Sequence, residues 1–313
     1  MTLIVVQQMV IIFLLIMVGM IIFKLGHLST DSTKDLSWIV VNVTNPITML
    51  VAALEDEEKV SAGTLGIAFL AFIGAYAFLG IIAYILPIVM GVKKDDRYPF
   101  RYMSIFANVG FIGIPFCSAV LGVHSLIYVT ICCLVFNLIA YTVGMSAMRQ
   151  IGAKQNPDKV KEVKKFSITD IINTGTVMSV ITITIYILDF DMPTIIGSTL
   201  SYMGRCTTFL SMVVLGVSVA QYSIKAIFAG GKLYIFILAR QIMVPIALLW
   251  VLKMFLDNTL MINTIVLLAA MPCANMPLMM AKQFDVDDTT ISKGIIMTTV
   301  LSVITLPIVA MML

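Results

Sequence analysis

Charge is scarce in this 313-residue sequence: Asp, Glu, Lys and Arg together make up 12% of it, where a water-soluble domain carries about 25%. With 60% of residues hydrophobic, too little polar surface remains to cover a water-exposed fold. A soluble enzyme, a nucleic-acid binder and a secreted disulfide scaffold are therefore excluded. Histidine is rarer still. The two present, His27 and His124, lie at the ends of apolar runs. No HExxH motif and no paired aspartates occur within those runs, so neither a metal site, nor a bound cofactor, nor an intramembrane enzyme has the groups it needs. The five cysteines (Cys117, Cys132, Cys133, Cys206, Cys273) all fall inside apolar stretches, which reads as free thiols in packing positions rather than extracellular bridges. The first residues lack a basic start and a small-residue cleavage site, so the apolar run from Leu3 to Phe23 is kept as a membrane helix.

What the sequence has in abundance is apolar runs of about 20 residues, the length of a membrane span. Ten fit: Leu3 to Phe23, Leu36 to Leu54, Ala62 to Met90, Tyr102 to Leu121, Ser125 to Met148, Ile168 to Leu188, Leu200 to Ala220, Leu233 to Phe255, Asn258 to Ala281 and Thr289 to Met312. Placing the intervening loops on alternate sides puts sixteen Lys and Arg on one side, from Lys24 and Lys34 to Lys282 and Lys293, against Lys59 and Lys253 on the other. A wrong span count would mix the two sets. By the positive-inside rule the rich side is cytoplasmic, so both termini face outward from the cell membrane. The acidic run Glu55 to Glu58 reads as a solvated outer loop, and no Asp or Glu lies deep within a span.

The only substantial hydrophilic connection, residues 150–164, divides the chain into a first half (1–149) and a second (165–313) of five spans each. Displacing the first half by about 162 to 165 residues brings Leu36-Ser37 onto Leu200-Ser201, Pro115 near Pro277 and the turn around Val123 onto that around Val286. An odd number of spans forces the second copy to insert upside down, so the expected architecture is an all-α membrane protein of two inverted five-helix repeats. That is a common plan of secondary transporters, whose site lies at the repeat interface.

Two stretches mark that site. The fourth span reads SIFANVGFIGIPF, with Asn108, Gly110, Phe111, Gly113 and Pro115; the ninth reads AAMPCANMPLMMAKQFDVD, with Pro272, Cys273, Ala274, Asn275 and Pro277. Glycine and proline interrupt the backbone ladder there, and broken backbone at membrane depth survives only where it is buried in protein or lines a cavity. The freed amides of Gly110, Phe111, Ala274 and Asn275 would present partial positive charge to an anion. Near them fall Asn45 and Thr48 of the second span, three residues apart, and Asn137 of the fifth. For each of these polar residues, helix-to-helix hydrogen bonding competes with ligand contact. Arg240 lies deep in the eighth span, where a charge is either functional or paired; it caps helix carbonyls or meets an anionic ligand. Arg205, nearer a span end, reads as structural.

The pieces ANVGFIGIPFCSAVLG (Ala107 to Gly122), MPCANMPLMMAKQFDVD (Met271 to Asp287) and TLPI (Thr305 to Ile308) resemble the auxin efflux carrier family, which includes plant auxin exporters and bacterial permeases for malate and related organic acids. The resemblance implies that the broken helices cross at Ala107 with Asn108 against Pro272 with Cys273. It implies a scaffold of spans one, two, six and seven, dimeric, against which spans three to five and eight to ten move. Ala107 stands where plant members have a proline, and Cys273 where they have a polar residue. The function expected is electrogenic secondary transport, elevator-type, of a small organic anion such as a carboxylate or auxin-like acid. The alternatives are a sodium- or proton-coupled organic-anion symporter and, from another class, a non-transporting sensor or assembly protein.

Overall fold

A computed structural model describes residues 2–56, 59–155, 171–190, 192–221 and 231–313. Most of the expected basic loop (156–164), the start of the expected second half at 165 and the start of the sixth span lie outside the described residues. Twelve helical rods are described: α1 (Thr2–Lys24), α2 (Thr30–Glu55), α3 (Ala62–Val89), α4 (Arg97–Ile105), α5 (Val109–Leu121), α6 (Val123–Gln155), α7 (Thr174–Leu188), α8 (Thr194–Ala220), α9 (Gly231–Lys253), α10 (Thr259–Ala270), α11 (Met276–Gln283) and α12 (Thr289–Ala310). Six of them (α2, α3, α6, α8, α9 and α12) are long and apolar enough to cross a membrane, and α1, α5, α7 and α10 supply shorter apolar segments. The expected fourth and ninth spans are each two helices in series, α4 with α5 and α10 with α11.

Short polar residues start the helices where the sequence offers them. Ser29, Ser61, Asn108, Asn173 and Asn258 each accept a hydrogen bond from the amide three residues on, satisfying a donor that a first turn leaves free. Three π-helical turns, Val40–Thr44, Val109–Gly113 and Ala239–Met243, end two residues before Pro46, Pro115 and Pro245. A proline has no amide to donate and its ring crowds the carbonyl four residues back, and widening the preceding turn relieves both problems. A fourth, Ala140–Gly144, has no proline. There the carbonyl of Gly144 accepts instead from Tyr102 Oη at 2.7 Å.

The rods pack in two groups. In the first, α1 and α8 lie against each other, and α2 packs on both α7 and α8. Small residues set these distances, as expected where lipid-like surroundings leave packing rather than water exclusion to drive association. A Cβ on Gly216 would lie 2.1 Å from the Ile16 carbonyl oxygen, and one on Gly19 2.4 Å from that of Val213. These neighbours are backbone atoms and cannot turn aside, so Gly216→Ala is expected to lower stability by about 1–3 kcal/mol, measured as thermal unfolding in detergent. The second group is formed by α3, α4, α5, α6, α9, α10, α11 and α12, around a core that includes Phe72, Phe116, Tyr128 and Leu267, and the two groups meet where α7 packs on α6.

Hydrogen bonds sort the connections between rods to two ends. At one end, Lys232 donates to the Gly91 carbonyl, Tyr98 to that of Asp287, and the Asp287 amide to Gln155. At the other, Asp56 meets His124 and Tyr186, Lys59 pairs with Asp189, and Asn258 donates to Tyr128. Asp56 corrects the expectation of a solvated acidic loop: it is 5% exposed. A run of acids at a helix end looks solvated by composition, but the tyrosine and histidine that cover this one arrive from residues 68 and 130 positions away.

Candidate functional site

The break in the second of the two interrupted rods has a plain local cause. Met271 precedes Pro272, whose ring disfavours a helical neighbour, and Met271 accordingly turns extended (φ −56°, ψ 149°). Pro277 then opens α11 within its first turn, where a missing amide costs nothing. In the first rod no proline stands at the break. Phe106 turns extended, Asn108 leaves the helical region (φ −79°, ψ 67°), and the Asn108 side-chain oxygen caps α5 by accepting from the Phe111 amide at 3.1 Å.

The two interrupted segments cross antiparallel at Ala107 and Cys273. The Asn108 amide donates to the Pro272 carbonyl at 2.7 Å, and the Ala274 amide donates to that of Phe106 at 2.9 Å. Backbone groups released by the breaks thus satisfy one another in the protein interior, as they must away from water. This is the crossing implied by the family resemblance.

Beside it lies a cavity of about 280 Å³, lined by seven of the residues singled out from sequence: Asn45, Asn108, Gly110, Phe111, Asn137, Ala274 and Asn275. The other four stand elsewhere. Thr48 bonds the Thr44 and Gly204 carbonyls and the Thr207 hydroxyl, which fastens α2 to α8. Sharing a helix face with Asn45 did not bring it to the cavity, because residues three apart still diverge by about 60°. Pro272 serves the crossing through its carbonyl. Cys273 points its thiol at the Met103 carbonyl (3.4 Å), while its amide donates to Thr298 Oγ1 (3.1 Å). Arg240 is wholly buried; its Nε donates to the Met103 carbonyl at 3.2 Å and its Nη1 to that of Ala269. Those carbonyls belong to the last turns of α4 and α10, so one guanidinium caps the first half of each interrupted rod. The amides expected to be free are partly engaged as well, Phe111 by Asn108 and Ala274 by Phe106.

Sequence reasoning missed Asn173, Tyr141 and four methionines, Met49, Met178, Met276 and Met279, which complete the walls. Asn173 carries a detectable signal as an asparagine cap opening α7. Its approach to Asn137 does not. That contact depends on Gly175, where a Cβ would lie 2.8 Å from Asn137 Nδ2 and 3.2 Å from Asn173 Oδ1. The cavity is lined by five asparagines and four methionines and, among the described residues, by no Asp, Glu, Lys or Arg. The Asn45 side-chain oxygen is buried there with no partner among the described residues.

Toward the end that holds Lys34 and Lys282, the cavity continues into a wider one of about 570 Å³, which shares Val41, Asn108, Phe111, Asn275 and Met279 with it and is lined by both lysines. A solute entering from that end passes two cations before reaching the asparagines. Among the described residues, no three His, Cys, Asp or Glu side chains are grouped as around a metal ion.

Comparison with known proteins agrees with a carrier. The family model for membrane transport proteins matches residues 4–310. An uncharacterized transporter of Methanocaldococcus jannaschii is 25% identical over 300 residues, a stretch that covers 94% of each chain.

Proposed function

The chain belongs to the membrane transport protein family, and from that premise we propose that it carries a small organic monoanion across the cell membrane by exposing the asparagine-lined cavity to one side and then the other. The observation that carries this reading is the cavity itself. It lies where two interrupted rods cross, at the starts of α5 and α11, whose first-turn amides and dipoles favour negative charge. Asn45, Asn108, Asn137, Asn173 and Asn275 add neutral hydrogen-bonding groups, and the methionines with Phe111 and Phe136 suit an apolar body. A second carboxylate on the ligand would find no cation in this inner space. A monocarboxylate with an apolar body therefore fits it better than a dicarboxylate does.

The architecture we read behind this is ten spans in two inverted repeats, 1–149 and 165–313, joined by the basic segment 150–164. Each interrupted rod counts as one span, and the lysine-rich end faces the cytoplasm with both termini outside. The cavity then opens inward. The group of α1, α2, α7 and α8 acts as the scaffold, through which two copies pair, and the remainder moves against it. This is the plan implied by the resemblance to auxin efflux carriers, and the close glycine contacts between α1 and α8 and the Thr48–Gly204 contact support the rigidity a scaffold needs.

Among the described residues no acidic side chain lines the cavity, which favours an uncoupled, electrogenic carrier. An inside-negative potential contributes about 2.3 kcal/mol per charge per 100 mV, roughly a fiftyfold outward bias on a monoanion. In proteoliposomes with an imposed potassium diffusion potential, monocarboxylate flux is expected to follow the sign of the voltage. Flux that ignores voltage and requires sodium or a pH gradient would replace this mechanism with symport, and no flux of any anion would favour a sensor or assembly role.

A further inference from the structure

We infer that Asp56, His124 and Tyr186 form a proton-operated latch at the end of the molecule opposite the cavity mouth. His124 sits in the first turn of α6, just past Gly122, which adopts a left-handed conformation (φ +87°) that a side chain would strain and whose carbonyl accepts from Ser125 Oγ at 2.7 Å. Asp56 follows the end of α2, and Tyr186 lies in the last turn of α7. His124 Nδ1 and Asp56 Oδ1 are 2.5 Å apart, Tyr186 Oη donates to Asp56 Oδ2 at 3.1 Å, and the Val60 amide donates to Tyr186 Oη at 2.8 Å. The Asp56 side chain is 3% exposed and that of His124 41%. The carboxylate is therefore enclosed, while the imidazole can exchange a proton with solvent.

Among the described residues, other charged and titratable groups lie near the cluster on the elements packed against it. Lys59 lies over the Tyr186 ring, 5.8 Å from its centroid, and is paired with Asp189 beyond the end of α7. Tyr128 of α6 accepts from Asn258, the cap of α10, at 3.1 Å. Glu55 is exposed at the end of α2.

The cluster joins the two groups of rods. Asp56 and Tyr186 come from the α2–α7 side, and His124 from the hairpin of the interrupted rod, on the end that is closed while the cavity opens at the lysine end. Resting on the carrier reading, exposure of the cavity to the other side requires this hairpin to part from α2 and α7, and the His124–Asp56 contact must break. With one proton shared between Nδ1 and Oδ1, the contact is a hydrogen bond; a second proton on the ring makes it an ion pair in an enclosed place. The closed form then binds that proton more tightly than the parted form, and by linkage the proton favours closure. Histidine changes charge between about pH 5 and 8. Acid on this side holds the latch, and its grip is lost as pH rises through that range.

The Val60 amide reports the latch through Tyr186, whose hydroxyl accepts from that amide and donates to Asp56. Hydrogen exchange of residues 60 and 122–126 in the full chain, in nanodiscs at about pH 5 and about pH 8, would be normalised to intrinsic rates at each pH. Protection is expected to fall roughly tenfold from the lower to the higher pH, across the range in which a histidine changes charge. His124→Gln is expected to remove the pH dependence, and Asp56→Asn to give the weaker protection at both values, while exchange within α1 and α8 stays unchanged in each variant. Equal protection of the unmodified chain at both pH values, or an undiminished pH dependence in His124→Gln, would overturn the latch. The measurement needs no substrate, so its outcome is separate from whether any anion is carried.

Discussion

Asn108→Asp is expected to abolish monoanion binding and flux in a chain that still folds. The side chain has two tasks at the crossing. Its oxygen caps α5 through the Phe111 amide, and its amide faces the cavity it helps to line. Aspartate keeps the first task, since it caps as well as asparagine, but replaces the neutral amide with a negative charge. A ligand carboxylate about 4 Å from it would meet a repulsion of about 4 kcal/mol at an effective dielectric constant of 20, close to a thousandfold loss in affinity. Asn108→Ala should behave differently, giving up a cap worth about 1 kcal/mol together with the donor. Ligand-induced thermal stabilisation and flux, measured side by side, distinguish the two variants. Wild-type affinity in Asn108→Asp would remove the crossing from the binding site.

The second large effect is expected at Arg240. Its guanidinium reaches the Met103 and Ala269 carbonyls together, which glutamine is too short to do. Arg240→Gln should leave the buried Ala269 carbonyl without this donor and the Met103 carbonyl with only the Cys273 thiol, at a cost on the order of 1–3 kcal/mol. A marked fall in unfolding temperature is therefore expected, with ligand affinity reduced only as far as the crossing loosens. Arg240→Lys keeps the charge but not the fork that serves two acceptors at once, and should fall between. Unchanged stability with abolished affinity would instead assign the cation to the ligand.

The two interruptions and their meeting were legible because their causes are local or carried by motif. Pro272 biases Met271 toward the extended conformation it takes, and the Asn108-Val-Gly-Phe run is a cap followed by a helix start. The cavity walls were legible only in part. Asn137 and Asn45 were found as polar residues in apolar spans, but the same reasoning chose Thr48, whose hydroxyl turned out to bond α8. What separates them is which neighbour each meets, a property of packing rather than of spacing. The methionines carry no signal of their own, since Met49 and Met279 look like any other apolar residue until the cavity is formed. Asp56 shows the limit most clearly. Its local sequence, Glu-Asp-Glu-Glu, is that of a solvated turn, and only the arrival of His124 and Tyr186 from distant segments encloses it.

The two rungs at the crossing use the amides of Asn108 and Ala274 and the carbonyls of Phe106 and Pro272; neither uses the amide of residue 107, and no side chain enters either rung. A residue without an amide hydrogen fits at 107 as readily as alanine does, which accounts for the exchange between alanine here and proline in plant members. The two backbone rungs are therefore independent of which side chain stands at 107, although the Asn108 cap and the Arg240 guanidinium still brace the segments on either side. Ala107 lines the cavity, so a substitution there could alter what the cavity admits while both rungs persist.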